Sequence, residues 1–164
     1  MRQDWKKQNL ELLAQRTPEL YARILDNQLG SGQITPELIP CKTGNMTYQI
    51  QANGKPVYLH SRYDPLEEAE RWAEMQTLPL RSVILFLGWG MGYQVLEWCK
   101  QHSGTACSMI LWEPEPQFFV QSLPHVDLQP LRNIDNLEFV LGYDEQSLFQ
   151  ALHRNLSFLL NHEL

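Results

Sequence analysis

The alternation of apolar and polar positions divides the chain into short periodic segments. Residues 4–16, DWKKQNLELLAQR, set Trp5, Leu10, Leu12 and Leu13 among polar neighbours, as an amphipathic helix does. Thr17-Pro18-Glu19 then reads as the start of a second helix over 18–27. It offers a hydroxyl at the cap, a proline at the first position and an acid in the first turn. Gly30, Gly32 and Pro36 break the pattern, so residues 29–45 read as loop. Residues 46–60, MTYQIQANGKPVYLH, alternate, and the central Asn53-Gly54 predicts a two-residue hairpin turn, because both turn positions need positive φ. That turn sets Ala52 opposite Lys55, Ile50 opposite Val57 and Tyr48 opposite Leu59. The last two pairs form one apolar face that needs a partner surface, with the hairpin lying outside the main sheet.

From residue 64 onward the period changes repeatedly. Asp64-Pro65 is a cap followed by proline, Glu67 and Glu68 favour the positive helix end, and Leu66, Ala69, Trp72 and Ala73 share a face. VILFLG (83–88) is a continuous apolar run, as expected of a buried parallel strand. YQVLEWCKQH reads as helix, SMILWEP as strand, PQFFVQSLP as helix, LEFVLGYD (137–144) as strand and 145–152 as helix. This alternation predicts an α/β fold: a Rossmann-like parallel sheet with flanking helices, preceded by N-terminal helices and a β-hairpin. Residues 83–87 are expected in the middle of the sheet, with 109–112 beside them and 137–141 next. The expected division is an N-terminal helical arm over 1–45, the hairpin and Rossmann-like domain over 46–152, and an exit helix or linker to a missing domain over 153–164.

Composition narrows the function classes. The 164 residues suffice for one domain with a real core, and 43% hydrophobic with 20% charged residues is ordinary globular usage. A net charge of −6 argues against general nucleic-acid binding, which needs a basic face. No apolar run approaches the roughly 20 residues that span a bilayer, and the first residues lack a signal-peptide core, so no membrane partner and a cytoplasmic location are expected. Cys41, Cys99 and Cys107 contain no CxxC and read as reduced thiols. No residues stand at metal-ligand spacing, so no metal is expected.

The candidate chemistry lies where the first parallel strand ends. Gly88, Gly90 and Gly92 follow a strand and open a helix, the context in which glycines let a phosphate or nucleoside approach backbone N–H groups. Glu113 ends the next strand about twenty residues after Gly92, where a carboxylate accepts from ribose hydroxyls. Asp144 ends the third strand, where a carboxylate can face an adenine amino group. The spacing suits an S-adenosylmethionine-type ligand better than a dinucleotide, because Tyr93 replaces the third dinucleotide glycine. Against methyl transfer, Phe86 stands where an acid is usual, and no NPPY-like tetrapeptide is present. The candidate cofactor-binding set is therefore Gly88, Trp89, Gly90, Gly92, Tyr93, Glu113 and Asp144. Two arrangements are open. A ligand site needs an open cleft floored by Gly90 with Glu113 pointing into it; a packing role needs that space filled, by Trp89 or Tyr93 for example.

Ser61, Arg62 and Asp64 form a second polar group between the hairpin and the following helix. Arg62 is a candidate phosphate grip or an ion-pair partner of Asp64, and His60 beside it reads as structural. Glu113-Pro114-Glu115-Pro116 offers two carboxylates, although its prolines simply shape a turn. No nucleophile–base arrangement stands out, and no catalytic residue is assigned.

Taken together, YLHSRYDPLEEAERW, ILFLGWGMGYQVLEW, ILWEPEPQFF and FVLGYD resemble the N-terminal part of the motility-associated factor family. The strongest elements are Leu59 to Ala69, the turn from Gly88 to Tyr93, and Glu113-Pro114. Family members are bacterial enzymes that transfer nonulosonic acids, such as pseudaminic or legionaminic acid, to flagellin. The resemblance implies a Rossmann-like N-terminal domain ahead of a larger central domain that carries the CMP-sugar chemistry. It therefore implies a chain inactive by itself, with its own downstream catalytic domain and flagellin as partners. The rival reading is a nucleotide- or S-adenosylmethionine-binding, methyltransferase-like protein.

Overall fold

The computed structural model describes residues 4–30, 32–77, 79, 82–105 and 107–160, with backbone alone at 157–160. Two helices open the chain, α1 (Lys6–Arg16) and α2 (Pro18–Leu25). Leu12, Leu13 and Leu20 from these helices are buried in the same core as the parallel sheet. The start of α2 differs from its expected form: Thr17 makes no side-chain cap, and its hydroxyl donates to the Leu13 carbonyl at 3.3 Å. A hydroxyl next to an existing helix end has carbonyls within reach, and α1 claims it first.

The stretch 29–45, expected as loop, contains a strand, β1 (Glu37–Pro40). It pairs antiparallel with β2 (Met46–Ala52), which turns at Asn53-Gly54 into β3 (Lys55–Tyr58). Asn53 and Gly54 both have positive φ, and the register sets Ala52 on Lys55 and Ile50 on Val57. The Leu59 N–H still donates to the Tyr48 carbonyl, so pairing continues one step beyond β3. The apolar face is buried at only one end: Tyr48 is fully buried while Val57 is 41% exposed. The turn end projects beyond the body that covers Tyr48.

Helix α3 (Pro65–Glu74) starts as expected, with the Asp64 carboxylate accepting from the Leu66 and Glu67 N–H groups. The second sheet follows: β4 (Ser82–Leu87), α4 (Tyr93–Gln101), β5 (Cys107–Glu113), α5 (Pro116–Ser122), a 3-10 turn at Gln129–Asn133, β6 (Asn136–Leu141) and α6 (Glu145–Leu160). Its strands are parallel in the order β4-β5-β6. The neighbours are those expected, but the middle strand is β5, and β4 stands at an edge. Among the described residues nothing pairs with the other side of β4, so it is not enclosed.

One sheet face carries Ile84, Phe86, Met109, Leu111, Leu137 and Phe139 into the main core with α4 and α5; Trp98 meets Phe86 and Phe119 meets Phe139 edge-on or tilted. The other face carries Val83, Leu85, Ile110, Trp112 and Val140 against Leu148, Ala151 and Leu152 of α6. Helix α6 runs unbroken past residue 152. No helix among the described residues is long and apolar enough to cross a membrane.

Candidate functional site

The glycine turn sits between the end of β4 and the start of α4, and its backbone donors are engaged within the protein. Gly88 N–H donates to the Trp112 carbonyl at 2.7 Å and so extends the β4–β5 ladder. Trp89 and Gly90 N–H both donate to Glu113 Oε2, at 2.7 and 3.2 Å. Met91 N–H donates to His60 Nε2 at 3.0 Å, and Gly92 N–H to the Trp89 carbonyl at 2.7 Å. Five successive donors thus have protein acceptors. An anion at this turn would have to displace a carboxylate or an imidazole.

The space beneath Gly90 and Gly92 is filled as well. Trp89 folds its ring under the turn, so that a Cβ at Gly92 would lie 2.2 Å from the indole. The ring is buried edge-on against Phe119, and its Nε1 donates to Ser122 Oγ at 2.8 Å. A Cβ at Gly90 would lie 2.7 Å from His60 Nε2, so glycine here admits a side chain of the protein itself. Tyr93 is buried edge-on to His60, and its hydroxyl donates to the Met46 carbonyl. The hairpin sheet therefore closes over the turn through His60 and Tyr93. Packing accounts for Gly90 and Gly92, whereas a Cβ at Gly88 would meet nothing within 4 Å.

Glu113 is 3% exposed. Besides the two turn N–H groups it accepts from Glu115 N–H at 2.9 Å, so both its oxygens are used inside the protein. Burial raises its carboxyl above the ordinary range, against the lowering effect of those three bonds. Glu115, 2% exposed, accepts from Ile34 N–H and the Tyr143 hydroxyl, tying the segment before β1 to the loop after β6. Tyr48 donates to the Phe118 carbonyl; burial, helped by nearby Glu113, raises its hydroxyl well above its usual value. His60 is buried and its pKa lies at about 4, lowered by desolvation. It is neutral near pH 7, and because Nε2 accepts, the proton sits on Nδ1.

Asp144 lies apart from this cluster at the surface, where it accepts from Gln146 and Ser147 N–H and from the Ser147 hydroxyl. It caps α6. Ser61 Oγ accepts from Tyr63 and Asp64 N–H, closing a turn, and Asp64 caps α3. The Arg62 guanidinium lies 4.7 Å over the Tyr58 ring. The structure thus joins Gly90, Trp89 and Glu113 in one contact set and leaves Asp144, Ser61, Arg62 and Asp64 on separate turns. His60, Glu115 and Ser122 complete the buried set; the sequence reads His60 as structural and Glu115 as a second carboxylate after Glu113, while nothing in it marks Ser122 at the end of α5. The three cysteines are buried; the Cys41 thiol donates to the Ser61 carbonyl, and burial pushes the Cys99 thiol up to about 12. Among the described residues no cluster of His, Cys, Asp and Glu is suited to a metal ion.

A groove of about 610 Å³ opens along the unpaired side of β4, lined by Trp72, Gln76, Phe86 and Leu87 and, at the turn itself, by Gly88, Trp89 and Gly90.

Among curated proteins none matches the chain. Among solved structures it is similar to the crystal structure of MnmC2 from Aquifex aeolicus, at 19% identity and a TM-score of 0.38. That likeness covers 89% of this chain but only 58% of the other, so the chain spans little more than half its length. A family model described as the glycosyltransferase Maf N-terminal domain matches residues 43–159, from just before the hairpin to the end of α6. The chain belongs to the family of Maf glycosyltransferase N-terminal domains.

Proposed function

We propose that the chain is the accessory N-terminal domain of a bacterial motility-associated-factor glycosyltransferase, and that it holds no catalytic residue of its own. The transferred group is a nonulosonic acid, the acceptor is flagellin, and catalysis belongs to a partner domain of the same enzyme. The family match across 43–159 carries this reading. In it, the glycine turn is scaffold. Glu113 and His60 supply the acceptors that a ligand would otherwise supply, and they fix the end of β4 against the hairpin sheet.

The test is transfer to flagellin, followed by intact-protein mass spectrometry. The whole enzyme, given a CMP-linked nonulosonic acid, is expected to add the mass of that sugar to flagellin. The 164-residue chain alone is expected to leave both donor and flagellin unchanged. Transfer by this chain alone, or unmodified flagellin after incubation with the whole enzyme, would contradict the proposal. The glycine spacing favours one alternative, an S-adenosylmethionine-type or nucleotide ligand at Gly88, Gly90 and Gly92. That ligand would enter the groove that Gly88, Trp89 and Gly90 line and would compete with Glu113 and His60 for the turn N–H groups.

A further inference from the structure

The edge of β4 is unlike a natural exposed edge. Soluble proteins protect such edges with charge, proline or a bulge. The strand SVILFL contains neither charge nor proline, and Leu87 is 68% exposed. Backbone direction alternates along a strand, and Gly88 N–H is bound to β5. The N–H and C=O groups of Val83, Leu85 and Leu87 therefore point to the unpaired side. The groove along that side has α3 as a wall, with Trp72 and Gln76 facing Phe86 and Leu87.

The path of α6 says what belongs there. It leaves the C-terminal end of β6 and crosses to the sheet face opposite α4 and α5. Near its far end Asn155 sits over the starts of β5 and β6: its Oδ1 accepts from Ser108 Oγ and from Asn136 Nδ2, and its Nδ2 donates to Glu138 Oε2 at 3.0 Å. Helix α6 thus runs back against the strand direction while packing on Val83 and Leu85 of β4. This is the return crossover of a doubly wound sheet, in which the next strand joins the first on its free side. Phe149 and Leu156, seven positions apart on one side of α6, are also exposed, as a helix awaiting a neighbour leaves them.

We propose that the free edge of β4 is the pairing site of a fourth, parallel strand contributed by the remainder of the glycosyltransferase polypeptide. The incoming segment is apolar and about as long as β4. One set of its side chains enters the groove beside Trp72, and the other extends the row of Val83, Leu85 and Leu87. The inference rests on the proposed function only in taking this chain as one part of a larger enzyme; it needs neither the sugar nor the acceptor.

Amide hydrogen exchange over residues 82–88 tests it, in the 164-residue chain and in the whole enzyme. In the short chain the amides of Val83, Leu85 and Leu87 are expected to exchange freely, while those of Ile84, Phe86 and Gly88 are protected. In the whole enzyme the three edge amides should slow by at least about 100-fold. Leu87→Pro removes one edge donor without touching the β5 ladder, so it should leave the short chain folded and restore fast exchange at Val83 and Leu85 in the whole enzyme. Fast exchange of these amides in the whole enzyme would overturn the proposal. So would protection that rises with concentration in the short chain, since the occupant would then be a second copy. Failure of flagellin transfer with a protected edge would sink the proposed function and leave this inference standing.

Discussion

Gly88 and Gly92 are both left-handed, at φ +88° and +78°, yet they differ in what surrounds them. A Cβ at Gly88 meets nothing within 4 Å, whereas one at Gly92 meets the Trp89 ring. Gly88→Ala should therefore cost only the backbone strain of about 1–2 kcal/mol. Gly92→Ala should cost that plus about 1–3 kcal/mol of overpacking. Urea denaturation of the two variants checks the order, and equal losses would mean that Trp89 does not fill the turn. His60 gives a pH signature. Its folded value of about 4 lies below its ordinary 6.5, so its stabilising contribution is complete above pH 6.5 and is lost as pH falls towards 4. Across that window the loss is about 3 kcal/mol. Glu113, whose value is raised, acts in the opposite direction, losing its contribution as pH rises above the ordinary carboxylate range. Comparing His60→Gln with the parent isolates the histidine: Gln keeps an acceptor for Met91 N–H but does not titrate. The variant's stability should be flatter between pH 4 and 6.5, and an unchanged slope would exclude His60 as the cause.

At the scale of elements, α1 joins the parallel-sheet body through buried Leu12 and Leu13 and through a polar clamp at Asn9. Asn9 is fully buried; its Nδ2 donates to the Leu123 and Val126 carbonyls at 2.8 and 2.7 Å, and its Oδ1 accepts from Leu128 N–H at 3.0 Å. Asn9→Ala leaves three backbone groups without partners and should destabilise the chain by about 3 kcal/mol or more, measured by thermal or denaturant unfolding. A loss below about 1 kcal/mol would mean that water replaces the side chain. Nothing in the local sequence marks Asn9 as such a clamp, because its partners lie more than a hundred residues away. The hairpin, by contrast, was legible, since Asn53-Gly54 carries its turn geometry in its own backbone preferences. So was α3, whose Asp64-Pro65 start is local chemistry. Strand β1 was not, because four residues ending in Pro40 have too short a period to read and exist through pairing with β2. The position of Glu113 at a strand end was legible from its spacing. Its direction was not: spacing says where a carboxylate falls, and only packing decides whether it faces a crevice or folds back onto Trp89 and Gly90.

At the scale of the molecule, the turn after β4 joins a parallel strand to a helix, and its N–H groups are held by acceptors of the protein itself. Strand order, glycine turn and strand-end acid stand in the Rossmann arrangement, while Glu113 and His60 accept from the turn and Trp89 packs beneath it. Such a turn suits the accessory role proposed above, with the chemistry left to the partner domain. Isothermal titration calorimetry tests this claim most directly. The chain is titrated with S-adenosylmethionine, S-adenosylhomocysteine, CMP and a CMP-linked nonulosonic acid, each up to about 1 mM, a concentration that detects binding of about −4 kcal/mol or stronger. The account predicts no saturable heat with any of the four. Saturable binding of one of them, weakened by Gly90→Val or Glu113→Gln in variants that remain folded, would contradict it.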